Sequence, residues 1–344
     1  MVRVGIYGAT GYTGLELYRR ISVHPGAEVV FLTSEQYAGK KLTDVFPFAP
    51  PFPRPLVSID DAPSKGIDAA FLALPHTVSM KVAPGLLDAG VRVIDLSADF
   101  RHGSPEAYRE NYGVEHSAPG ILGEAVYGLC ELNRDAIRDA RIVAAPGCFP
   151  ASIILPLYPL LREGVVKAKG IVADSKTGVS GGGRAPKLNF HYPEVEGGIF
   201  AYGFPRHRHN GEIEEVLSQS VGREVTVTFV PHLAPMVRGI LSTIYAPLEE
   251  GAGPGDVGEA FRKIYDGEPF ILLLGEGVSP STKFVAGSNL CAIGYQLREE
   301  AGLLVLLSAV DNLVKGASGS AVQCFNVMFG FDEKTALDEA PLFP

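Results

Sequence analysis

The chain has 344 residues, 46% of them hydrophobic and 20% charged, which is enough for about two domains and a sizeable core. A net charge of −9 with no basic run excludes a nucleic-acid surface, because neutralising phosphates needs a basic face. Four cysteines without a CxxC pair exclude a disulfide framework or a zinc site, and apolar stretches such as 153–161 and 302–310 fall short of the ~20 residues of a membrane span.

Met1 leads directly into the apolar run Val2-Arg3-Val4-Gly5-Ile6-Tyr7, without the features of a secretory leader, so a cytoplasmic protein with a small-molecule substrate is expected. Residues 2–7 read as a strand, 15–21 as a helix and 28–32 as a second strand, a βαβ unit with a glycine-rich first turn. Residues 45–55 hold five prolines and three phenylalanines, too much proline for a helix interior or a central strand, and read as a packed loop. A strand at 69–74, a helix at 79–89 and a strand at 91–96 continue the alternation, which demands a mostly parallel sheet.

After 142–145 and the turn Pro146-Gly147 the pattern changes to longer alternating strands at 224–230, 239–246 and 303–307, and 249–256 reads as a glycine-rich surface turn. Residues 312–329 carry small and apolar residues at helical spacing and are expected to return to the first domain. The class is α/β: a Rossmann-type doubly wound parallel sheet over 1–147, completed by 312–344, with a second α+β domain on a mixed sheet over 148–311.

Gly8, Gly11 and Gly14 lie between a strand and a helix, where absent side chains allow a tight turn and let backbone N–H groups approach a pyrophosphate. Their spacing is GxxGxxG rather than GxGxxG, so a purely structural turn is the competing reading. At the end of the second strand stand Thr33, Ser34 and Glu35, with Lys40 and Lys41 nearby. Ser34 with a lysine suits the extra phosphate of NADP, whereas an inward Glu35 would repel it.

Cys148 lies at a strand end, one residue ahead of Phe149-Pro150, with the proline suited to the first turn of a helix. A helix N-terminus favours thiolate, so position points to a nucleophile; the alternative is a small buried core residue, the reading given to Cys291 and Cys324. Pro156 and Pro159 predict that this helix is short or kinked.

In Pro205-Arg206-His207-Arg208-His209, two histidines and two arginines can bind an anion and shuttle protons, or form a solvated basic turn capping a helix. Ser180-Gly181-Gly182-Gly183-Arg184 reads either as a flexible linker or as a backbone cradle for a negative group.

Together Gly8-Ala9-Thr10-Gly11-Tyr12-Thr13-Gly14, Pro146-Gly147-Cys148-Phe149-Pro150, His207-Arg208-His209 and Asp311-Asn312-Leu313-Val314-Lys315-Gly316 resemble the N-acetyl-gamma-glutamyl-phosphate reductases of arginine biosynthesis. Leu74-Pro75-His76, Ser97-Ala98-Asp99-Phe100-Arg101 and Pro231-His232-Leu233 add to the resemblance, which spans nearly the whole chain. It implies NADPH as hydride donor, an acyl phosphate substrate, Cys148 as nucleophile, His207 as acid/base and a homotetramer.

On that reading Gly8, Thr10, Gly11, Tyr12 and Gly14 line the pyrophosphate, Ser34 and Gly181 join the cofactor site, and Asn312 reaches the nicotinamide. Arg101, Arg184, Arg208 and His209 are the candidates for the substrate's anionic groups. The chain departs from the family pattern at Phe149, at Ala151-Ser152, at Cys130 where proline is usual, and at Asn210-Gly211 after His-Arg-His. The loss of proline at 211 is expected to loosen the helix start behind His207.

The rival readings are a lysine-pathway reductase acting on 2-aminoadipyl phosphate, free or carrier-bound, an aspartate semialdehyde dehydrogenase, and a non-catalytic dinucleotide-binding sensor. A zinc hydrolase using His207 and His209 lacks an obvious third ligand.

Overall fold

The computed structural model describes residues 1–203 and 207–343, in two compact units. The first unit comprises residues 1–146 and 317–338. Its opening stretch runs β1 (Val2–Tyr7), α1 (Tyr12–Ile21), β2 (Ala27–Leu32), α2 (Leu42–Val45), β3 (Ala69–Leu72), α3 (Ser79–Asp88) and β4 (Arg92–Asp95). It continues through α4 (Pro105–Tyr112), α5 (Pro119–Leu122), β5 (Val126–Tyr127), α6 (Cys130–Asp139) and β6 (Ile142–Ala144).

The six strands are all parallel in the order β2-β1-β3-β4-β6-β5. Every residue of β3 is buried, as expected of a strand covered on both faces. Around it Phe71, Leu72, Ala83, Leu86, Val93 and Ile142 form the core. The order turns back at β1, between β2 and β3, and that switch point is where doubly wound sheets open a ligand crevice beyond their strand ends.

The second unit comprises residues 147–316 and 339–344. It opens with α7 (Cys148–Arg162), β7 (Ile171–Thr177), α8 (Tyr192–Val195), β8 (Phe200–Ala201), α9 (His209–Val221) and β9 (Val227–Leu233). After β10 (Ile240–Pro247) come α10 (Pro254–Tyr265), β11 (Ile271–Glu276), β12 (Cys291–Arg298) and β13 (Leu303–Val310). The sheet is mixed, ordered β11-β12-β13-β10-β7-β9-β8, with β11–β12 and β7–β9 parallel and the other pairs antiparallel. Side chains on β7 alternate buried and half-buried, so one face packs inward and the other does not. A π-type turn over 314–318 then leads to α11 (Gly319–Phe329), which belongs to the first unit.

α7 corrects the expectation of a short or kinked helix: it runs 15 residues without a break, and residues 149–161 are all buried. Pro159 cannot donate to the carbonyl of Leu155, but Tyr265 OH on α10 supplies that hydrogen bond at 2.5 Å. The expected turn over 249–256 is cut short by α10, which begins at Pro254, while the Gly253 N–H donates to Asp256 Oδ2 at 2.8 Å. Strand β9 lies three residues later than the 224–230 expected from sequence. Cys291 and Cys324 are fully buried core residues, as read.

Candidate active site

The first unit carries the glycine turn. Gly8 has φ +80°, and a Cβ there would lie 2.3 Å from the Ala73 carbonyl oxygen; one on Gly14 would lie 2.2 Å from the Gly8 oxygen. These two glycines are demanded by the close approach of turn, strand and helix. Gly11, the N-cap of α1, is different: a Cβ would meet nothing nearer than 3.6 Å. Packing does not require glycine at 11, which fits a position kept bare for a close-lying pyrophosphate.

Around the turn, the Gly8 N–H donates to Thr33 Oγ1 at 2.9 Å, and the hydroxyls of Thr10 and Ser34 lie 2.8 Å apart. Tyr12 is 41% exposed at the start of α1. Glu35, the residue that would oppose a 2′-phosphate, is turned aside: its Oε1 accepts from the Ile59 N–H at 2.7 Å.

Beyond the strand ends of the same sheet, Asp99 is fully buried and accepts from the Thr77 N–H (2.9 Å), the Met80 N–H (3.0 Å) and Tyr108 OH (2.9 Å). It holds Thr77 at φ +72°, a conformation unfavourable for a β-branched residue. His76 Nδ1 accepts from the Ala98 N–H at 3.1 Å, which stitches the loops after β3 and β4 together. Asp95 has its carboxyl pushed up to about 6 by burial and then by the Asp99 charge. Arg101 donates from Nε to Ala145 O (2.9 Å) and from Nη2 to Leu96 O (3.0 Å), so part of its fork is fixed on backbone.

The thiol belongs to the second unit. Cys148 is the first residue of α7 and half-buried, with Gly147 as N-cap. The Gly147 N–H donates to Oε1 of Glu212, a fully buried residue in the first turn of α9, at 2.8 Å. Next to the thiol, the Phe149 ring stands edge-on to His207 and His209, with centroids 5.8 and 6.0 Å away, and the two imidazoles lie 4.8 Å apart.

His207 Nδ1 accepts from the His209 N–H at 3.1 Å, so the proton of the neutral ring sits on Nε2. Burial, and then the Arg208 charge, lower the pKa of His207 to about 4. Tyr202 packs edge-on to His207 at 5.6 Å, and its hydroxyl is held protonated by burial and by the nearby Cys148.

The helix carrying His209 begins at that residue, ahead of position 211, so the absent proline does not delay its start. Arg208 and Arg184 are exposed, and a Cβ on Gly181 would lie 3.5 Å from Thr177 Oγ1 and 3.8 Å from Asn312 Nδ2. Asn312 is buried, accepting from the Gly239 N–H at 2.7 Å and donating to Ser180 Oγ at 2.9 Å. Pro205 and Arg206 of the basic cluster lie outside the described residues. Among the described residues no three His, Cys, Asp or Glu side chains gather to hold a metal, and no helix is long and apolar enough to cross a membrane.

Glu212, Asp99 and Tyr202 escaped the sequence reading as site residues. Asp99 stood within the motif Ser97-Ala98-Asp99-Phe100-Arg101 and the other two near singled-out motifs, but their roles depend on partners brought in by the fold.

A doubly wound dinucleotide unit joined to a mixed-sheet unit with a helix-start thiol defines the semialdehyde dehydrogenase class. The NAD binding domain of semialdehyde dehydrogenases matches residues 3–140, and their dimerisation domain matches residues 148–312. The N-acetyl-gamma-glutamyl-phosphate reductases of Desulforapulum autotrophicum and Geobacter metallireducens are each 46% identical to the chain. The first aligns over 350 residues, covering 100% of this chain and 99% of the relative, and the second over 347 residues with both fully covered.

Among solved structures, aspartate semialdehyde dehydrogenase II of Vibrio cholerae complexed with ASA has a TM-score of 0.73 at 17% identity, covering 96% of this chain and 98% of its own. The aspartate semialdehyde dehydrogenase of Candida albicans with NADP has a TM-score of 0.69 at 16% identity, covering 96% and 99%. The chain belongs to the N-acetyl-gamma-glutamyl-phosphate reductase family.

Proposed function

We propose that this oxidoreductase converts N-acetyl-gamma-glutamyl phosphate to the semialdehyde and phosphate with NADPH, through a thioester on Cys148. The observation that carries the reading is Cys148 at the first position of a fifteen-residue helix, with the imidazoles of His207 and His209 packed around the adjoining Phe149. The helix start favours the thiolate.

An acyl phosphate is already activated. The Cys148 thiolate attacks its carbonyl carbon, the C–O bond to phosphate breaks, and a thioester remains. His207 takes up the thiol proton as the phosphate's negative charge offsets the burial and the Arg208 charge that keep the free ring neutral. When bound, the dinucleotide supplies the hydride that reduces the thioester. His207 then protonates the hemithioacetal oxygen, and it takes that proton back as the C–S bond breaks, which releases the aldehyde and restores the thiolate. Arg101, Arg184, Arg208 and His209 are assigned to the substrate's carboxylate and phosphate.

Gly8, Thr10, Gly11, Tyr12 and Gly14 would hold the pyrophosphate, with Gly181 and Asn312 toward the nicotinamide. NADPH is favoured over NADH by the Thr10–Ser34 hydroxyl pair and by the engagement of Glu35 with Ile59. The outward face of the second sheet, with Val172, Leu241, Tyr245, Val305 and Leu307 only part-buried, suits self-association into a homotetramer in the cytoplasm.

Mass spectrometry of the protein incubated with N-acetyl-gamma-glutamyl phosphate and no dinucleotide is expected to show the acyl group on Cys148. An acyl group elsewhere, or full NADPH oxidation by a Cys148→Ala protein, overturns the mechanism. Parallel incubation with 2-aminoadipyl phosphate separates the lysine-pathway alternative.

A further inference from the structure

The first residues of a helix are not held by its own hydrogen-bond ladder, because their N–H groups have no carbonyl one turn earlier. In α7 the first such bond in this region runs from the Ala151 N–H to the Gly147 carbonyl, so Cys148 must be fixed from outside the helix. Glu212, through Gly147, holds one side.

The other side is held by the turn after β13. A Cβ on Gly316 would lie 2.8 Å from Cys148 Cβ and 3.0 Å from its Cα, nearer than carbon atoms approach. Gly316 therefore lays bare backbone against the carbon that bears the sulfur.

What places Gly316 there is Asp311. Its backbone oxygen accepts from the Val314 N–H (3.1 Å) and from the Gly316 N–H (3.0 Å), the second being the five-residue bond of a π turn. Its fully buried carboxylate accepts from the Leu313 N–H at 2.9 Å and the Gly287 N–H at 2.8 Å, with Arg238 Nη1 at 3.4 Å. A carboxylate satisfied by two amides and a guanidinium locks the turn, and turns of this type recur at functional sites.

We propose that Asp311 is a positioning residue for the nucleophile, acting through the π turn it pins and through Gly316, whose bare backbone fixes where the Cys148 sulfur sits. The proposal rests on the thioester reading above for its catalytic meaning, but the geometry it predicts for the thiol is measurable without substrate.

The test compares Asp311→Asn, Gly316→Ala and Arg238→Gln with wild type. Displacing a reacting atom by about 1 Å costs on the order of 100-fold in rate, so Asp311→Asn and Gly316→Ala are expected to lower kcat between about 10- and 100-fold. KM for NADPH should stay within about twofold, since the glycine turn lies in the other unit. Carbamidomethylation of Cys148 by iodoacetamide, followed by peptide mass spectrometry, should slow by about tenfold in the same two proteins, because a displaced thiol loses its favourable helix-start position. Arg238→Gln touches only the partly exposed end of the network and keeps the test alive should the other two fail to fold; it should show the same pattern at about threefold.

Wild-type kcat and wild-type alkylation in correctly folded variants, or losses that only track the amount of folded protein, overturn the proposal. If wild type forms no acyl-enzyme, the thioester reading fails instead, and the alkylation rates still decide the role of Asp311 and Gly316.

Discussion

Gly147 and Glu212 are joined by a buried hydrogen bond of 2.8 Å, so the amide immediately before the thiol hangs on a carboxylate from the start of another helix. Glu212→Ala would leave that N–H without its acceptor, an expected loss of about 1–3 kcal/mol of stability. Glu212→Gln keeps a carbonyl acceptor and should lose less than half as much. Urea unfolding of both proteins measures the difference, and equal losses would show that the bond to Gly147 is not what Glu212 contributes.

Tyr265→Phe removes the donor that satisfies the Leu155 carbonyl opposite Pro159. The expected cost is about 1–2 kcal/mol, measurable by denaturant unfolding at unchanged kcat. No loss would mean that α7 tolerates its prolines for another reason.

Asp95 retains its proton to about pH 6 in the folded chain, because of burial and then the neighbouring Asp99, and releases it near 3.8 when unfolded. A raised carboxyl favours the folded state below the unfolded value, and that advantage is lost as pH rises through about 6. Asp95→Asn should therefore gain about 1–3 kcal/mol over wild type at pH 8 relative to pH 4. Parallel stability curves for the two proteins across that range would contradict the assignment.

His207 is depressed to about 4. Between the ordinary histidine value and that point the unfolded chain holds a proton that the folded one lacks, so this group's contribution to stability is lost as pH falls. An NMR titration of the substrate-free protein should place the ring's midpoint near 4, and a midpoint near 6.5 would contradict its burial beside Arg208.

Ser34→Asp sets a carboxylate where Ser34 now meets the Thr10 hydroxyl. KM for NADPH should rise by about tenfold or more while that for NADH falls or holds, by steady-state kinetics. An unchanged preference would move the 2′-phosphate away from this strand end.

The parallel sheet was legible because its signals are local: residues 69–72 are apolar without a break, and Gly8 and Gly14 punctuate the first strand and helix. α7 was misread because proline's penalty is a local rule, while its remedy, Tyr265, comes from 110 residues away. The two-residue strands β5 and β8 are too short to show a period. Cys148 and the His207–His209 pair stood out by residue type and neighbours. Glu212 did not, because an acid in a helix's first turn is commonplace until the fold shows what it holds, and Asp311 stood in a singled-out motif that gave no sign of the amides its carboxylate binds.

The first unit is assembled from two separate stretches of chain, with α11 added to it only after the whole mixed sheet has been made. During synthesis the unit with the glycine turn must wait, incomplete, for residues 317–338 to emerge, while the thiol unit already has almost all of its own sequence. The scaffold around Cys148 can thus mature first, and the parallel-sheet unit is the one whose completion waits for the last helix.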